Sequence, residues 1–87
     1  GWGGNVTYGG VSVRDKNKLV VTAQSTVKQA NMDIFFDEEK VSVSINPSDA
    51  LDDFCEYEID IPQNTADVCT VKIRLEGDCA MLDLKLI

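Results

Sequence analysis

At 87 residues, with 15 Asp or Glu against 8 Lys or Arg, the chain has room for one domain and carries a net charge of −7. That balance argues against nucleic acid as a partner, because phosphate backbones are held by clustered Lys and Arg. No apolar run approaches the roughly 20 residues needed to cross a bilayer, and the absence of His removes triads, most zinc sites and the commonest general base.

The first ten residues are glycine-rich, with Gly1, Gly3, Gly4, Gly9 and Gly10 bracketing Asn5-Val6-Thr7-Tyr8. This density predicts a loop with at most one short strand. Trp2, the only Trp, is either a stacking platform or an anchor lying on the domain's own surface. Val11–Arg14, the polar turn Asp15–Lys18 and Leu19–Ala23 predict a first hairpin. Gln24 to Asn31 is polar and lacks the apolar stripe of a helix. A second hairpin follows: Met32–Phe36, a turn at Asp37-Glu38-Glu39, and Lys40–Ile45. The longest connection, Asn46 to Asp53, holds Pro47 and several turn-forming Asx residues.

The last third predicts three strands by period-2 alternation. Phe54–Ile61 sets Cys55, Tyr57, Ile59 and Ile61 against Glu56, Glu58 and Asp60. Val68–Leu75 sets Cys69, Val71, Ile73 and Leu75 against Thr70, Lys72 and Arg74. Ala80–Ile87 sets Ala80, Leu82, Leu84 and Leu86 against Met81, Asp83, Lys85 and Ile87. Paired as antiparallel neighbours, these strands bring Glu58 opposite Lys72, Glu56 opposite Arg74, and Lys72 beside Asp83. Each such pair contributes only about 0.2–1 kcal/mol, so the charges select register rather than supply stability. Seven or eight short strands without a helix predict an all-β antiparallel sandwich, jelly-roll or immunoglobulin-like. The chain is expected to be a single sandwich domain, residues 1–87, excised from a larger protein.

Little in the sequence supports catalysis. Glu56, Glu58 and Asp60 share one solvated strand face, whereas acid–base pairs need carboxylates in unlike environments. Cys55, Cys69 and Cys79 lack a neighbouring His and read as two core thiols and one near a turn. The acidic groups Asp37-Glu38-Glu39 and Asp49, Asp52, Asp53 lack the ligand spacing and turn glycine of a dedicated calcium loop.

Across Val6 to Ile87 the chain resembles a family 6 carbohydrate-binding module, a galactose-binding-like jelly roll often appended to glycoside hydrolases. The similarity runs through Tyr8–Val13, Lys18–Ala23, Asn31–Asp37, Thr70–Gly77 and Met81–Leu84. It implies a non-catalytic module of a larger glycoside hydrolase, extracellular if that parent is secreted. It also implies a structural calcium near Asp83, although the acidic ligands of the family's opening strand are missing here. Met81 stands where the family carries a sugar-contacting Asn, so sugar binding is partly degenerate. A jelly roll would moreover place the late strands in alternate sheets, against the charge register above.

Two expectations result. A polysaccharide-binding module would stack its sugar on Trp2, Tyr8 or Phe54, with Asn5 or Asn46 as polar partners. A structural or protein-interaction sandwich of a surface or capsid protein would instead pack on a neighbouring domain of the same chain. That second reading predicts an apolar patch of Phe35, Met81 and Ile87. Neither reading involves nucleic acid or a membrane.

Overall fold

The computed structural model describes residues 3–25, 30–45, 54–77 and 79–87. They form seven strands: β1 (Gly3–Ser12), β2 (Lys18–Ser25), β3 (Ala30–Phe36), β4 (Glu39–Ile45), β5 (Cys55–Asp60), β6 (Val68–Glu76) and β7 (Cys79–Leu86). A four-stranded sheet runs β1-β6-β3-β4 and a three-stranded sheet runs β5-β2-β7, every pairing antiparallel. The all-β sandwich expected from the alternation is the fold. No helix occurs among the described residues.

The core lies between the inward rows of the two sheets. Val21, Met32, Ile34, Ile45 and Ile73 are fully buried, with Leu19, Phe36, Ile59, Cys69 and Val71 beside them. Burying such a side chain contributes about 1.5–3 kcal/mol, which is why the alternating face turns inward. Tyr57, Leu75, Leu84 and Leu86 pack on the margin of this cluster.

Strand adjacency departs from the sequence reading. β5, β6 and β7 are not neighbours: β5 and β7 flank β2, while β6 lies between β1 and β3 in the other layer. The Glu58–Lys72–Asp83 row therefore does not exist. Glu58 pairs with Lys18 at 3.3 Å and Glu56 with Lys85 at 3.7 Å. Charge complementarity was satisfiable in more than one way, and apolar burial decided between them. The expected first hairpin is also absent, since β1 and β2 sit in different sheets. The segment between them crosses the layers, its backbone tied by Val13 N–H to Asp67 O, 2.8 Å, and Asn17 N–H to Ile87 O, 2.7 Å. The second hairpin is present as β3–β4, turning at Asp37.

Two bulges reset which residues face inward. In β1 the register steps from Tyr8↔Val71 to Val11↔Cys69, three residues against two. Gly10 takes up the extra residue at φ 64°, a left-handed conformation glycine adopts without a Cβ penalty. Val6 packs on the core before the bulge, with Tyr8 exposed on the same side of the strand, and Val11 and Val13 pack on it after the bulge. The glycine-rich segment expected to be loop is a ten-residue strand, because β6 supplies a full partner ladder. In β7 the register steps from Thr22↔Asp83 to Ala23↔Met81. Leu82 is extruded, 65 % exposed, and Met81 packs on the core in its place. This reverses the expected facing of those two residues and removes Met81 from any outer patch.

Candidate functional site

The outer face of the four-stranded sheet is built by the residues that alternate with the core row. One row across it is Thr7–Lys72–Phe35–Lys40, and the next is Asn5–Arg74–Asp33–Ser42. Phe35 is half-buried on the solvent side of central strand β3. The Lys72 ammonium and the Arg74 guanidinium each lie 5.8 Å from its ring centroid, within cation–π range.

Beside Phe35, Asp33 is buried although it points outward. Ser42 Oγ donates to its Oδ1 at 2.8 Å and Arg74 Nη2 to its Oδ2 at 2.6 Å. These two donors, Arg74 first, hold the Asp33 carboxyl below its ordinary value of 3.8 against the opposing effect of burial. The Arg74 guanidinium is pushed up, chiefly by the same hydrogen bond. Its Nε lies 3.5 Å from Glu76 but makes no hydrogen bond. Arg74 is thereby held by two carboxylates, with its guanidinium over the Phe35 ring.

Hollows among the described residues lie away from this face. A mostly apolar cleft of about 310 Å³ opens between the free edges of β1 and β7, lined by Tyr8, Val11, Leu19, Val71, Leu84 and Leu86, with Lys85 beside them. A polar hollow of about 240 Å³ lies at one end of the sandwich, where Arg14, Asp15, Gln63, Thr65 and Asp67 meet. The Thr65 hydroxyl there is buried without a protein partner. A polar pocket of that size readily holds water, and no aromatic lines it.

Tyr8, Phe54 and Asn5, the expected sugar-binding residues that are described, are not gathered. Tyr8 is exposed at the rim of the apolar cleft, near Leu19 at the start of β2. Phe54 precedes β5 beside the far end of β2, where Cys55 pairs with Ala23. Asn5 sits on the outer face of β1, in the Arg74 row. Trp2 and Asn46 lie outside the described residues, as do Asp49, Asp52 and Asp53. The expected Phe35–Met81–Ile87 patch does not form, since Phe35 and Met81 belong to different sheets and Met81 packs on the core.

The calcium implied near Asp83 does not fit what surrounds it. Asp83 is exposed on β7 opposite Thr22. The next side chain in that row is Glu56, which is held by Lys85. Among the described residues no three His, Cys, Asp or Glu come together as a metal site. In the Asp37 turn, Oδ1 is already taken by the Thr70 N–H at 2.9 Å. Cys55 is a free, exposed thiol and Cys69 a free, buried one. Burial, with Asp37 nearby, pushes the Cys69 thiol pKa up, which makes it a poor nucleophile.

Comparison with family models, characterised proteins and solved structures finds no match for this chain.

Sequence reasoning missed the Phe35 surface. Phe35 was legible only as an apolar residue on an exposed face. Its cationic neighbours belong to β6 and β4, and only the strand register shows that they flank it.

Proposed function

We propose that this chain is a non-catalytic binding sandwich that takes a saccharide on the outer face of its four-stranded sheet. The observation that carries the reading is the placement of Phe35. A half-exposed ring stands on inner strand β3 between Lys72 and Lys40, with Ser42 in the next row and Thr7, Asn5, Asn31 and Ser44 farther out on the same face. A sugar offers one apolar face for stacking and a rim of hydroxyls for amides, hydroxyls and ammonium groups, and this surface supplies both kinds of contact. The resemblance to a carbohydrate-binding module points to the same ligand class, through a different set of residues.

The direct test is affinity electrophoresis in gels containing polygalacturonate, xylan, cellulose derivative or laminarin. The wild-type chain is expected to be retarded by at least one of them, and Phe35→Ala to bind about tenfold more weakly, as loss of one stacking contact requires. Unretarded migration in every gel would rule the reading out.

A second reading, a structural or protein-interaction domain, is favoured by the apolar cleft between the free edges of β1 and β7. On that reading Phe35→Ala changes no association. Tyr8→Arg, at the cleft's rim, then blocks co-sedimentation with a neighbouring domain of the parent protein.

A further inference from the structure

Resting on the reading of Phe35 as a stacking platform, we infer that the saccharide it takes is anionic, a polymer bearing carboxylate or sulfate groups. Lys72 and Lys40 are the direct cross-strand neighbours of Phe35, one on each side. Adjacent strands lie about 4.8 Å apart, so the backbones of the two lysines bracket the ring across roughly 10 Å. Neither lysine has an ion-pair partner among the described residues. Arg74, by contrast, is already held by Asp33 and Glu76, so it shapes the site without offering a free charge.

The contrast with the other sheet is what makes these lysines informative. On the outer face of β5-β2-β7, both Lys18 and Lys85 are paired, amid Glu56, Glu58, Asp60 and Asp83. In a chain with nearly twice as many acids as bases, two cations with no ion pair among the described residues flank Phe35 on the opposite face. Arg14 and Lys16, likewise without one, lie at the polar hollow at one end of the sandwich. A neutral glycan would leave Lys72 with only its contact to the Phe35 ring and Lys40 with only its attraction to Asp33. An anionic one stacked on Phe35 would place its charges between them. Single-stranded nucleic acid also combines rings with cations, but its channels stack successive bases on several aromatics. Among the described residues, this face offers one ring and one stacking position.

The experiment measures retention of the wild-type chain, Phe35→Ala and the double variant Lys40→Gln/Lys72→Gln. The gels contain polygalacturonate, dextran sulfate, neutral xylan or oligo(dT), run at 50 and 300 mM NaCl. We expect retention by at least one of the two anionic glycans, the retaining gel telling carboxylate from sulfate. The double variant should bind it about tenfold more weakly at low salt, with a smaller difference at high salt, where screening already removes the lysines' contribution. Phe35→Ala should weaken it too, and thermal melting should show both variants folded. Xylan binding that is lost in Phe35→Ala and exceeds binding to either polyanion would overturn the anionic class while leaving the Phe35 platform standing. Absence of binding to any gel would overturn both. Polyanion binding indifferent to Phe35→Ala would be plain ion exchange, and equal retention by oligo(dT) would assign the face to nucleic acid; either result overturns the inference.

Discussion

Asp33 is the only buried charged side chain among the described residues, and its two donors set both its ionisation and the posture of Arg74. A carboxylate whose folded pKa lies below 3.8 stabilises the fold above that ordinary value. The contribution is lost as pH falls through the depressed folded value. Asp33→Asn, which cannot be ionised, should therefore melt about 5 °C below the wild type at pH 7. The gap should narrow progressively below about pH 4. Thermal melts followed by circular dichroism across that range check this, and a gap independent of pH would show that the charge is not what Arg74 and Ser42 hold. Nothing in the sequence marks Asp33 as special, since it occupies an ordinary outward position of an alternating strand. Its burial comes from Arg74, forty-one positions away along the chain.

At the scale of the strand, the bulges are where periodicity stops being a guide. Alternation correctly predicted the inward row of β6; in β5 it holds for Tyr57 and Ile59, whereas Cys55, expected in the core, is exposed at the strand's start. It failed in β7, where one inserted residue exchanges Leu82 for Met81. In β1 it was set aside altogether, because Gly9-Gly10 reads as a break. The structural reason for that pair is the left-handed turn of Gly10. A Cβ there would meet no atom within 4 Å, so the penalty of a side chain is conformational. Gly10→Ala should cost about 1–2 kcal/mol in urea unfolding. Gly9→Ala, also unobstructed and without positive φ, should stay within about 0.5 kcal/mol. Equal effects at the two sites would mean that the bulge is not seated on Gly10.

For the molecule as a whole, fold class was legible and strand neighbourhood was not. Burial energy is spread along each strand and writes itself into the sequence as a two-residue rhythm. Adjacency rests on cross-strand pairs of a few tenths of a kcal/mol to about 1 kcal/mol, and several arrangements of the same charges satisfy them. Lys18 and Lys85 take the acidic partners that Lys72 and Arg74 had seemed to suit. That reassignment leaves Lys72 beside Phe35 rather than opposite Glu58, so the candidate site was hidden by the same ambiguity that hid the topology. The two outer faces consequently differ in character. One is acidic with its cations paired, the other aromatic with unpaired lysines.

The most direct check is a ¹⁵N-resolved NMR titration of the intact chain with polygalacturonate and dextran sulfate oligosaccharides. Binding as described here predicts shift changes confined to Asn5, Thr7, Phe35, Lys40, Lys72 and their strand neighbours, with Glu56, Glu58 and Asp60 unmoved. Changes centred instead on Tyr8, Leu84 and Leu86 at the apolar cleft, or no changes at all, would contradict it.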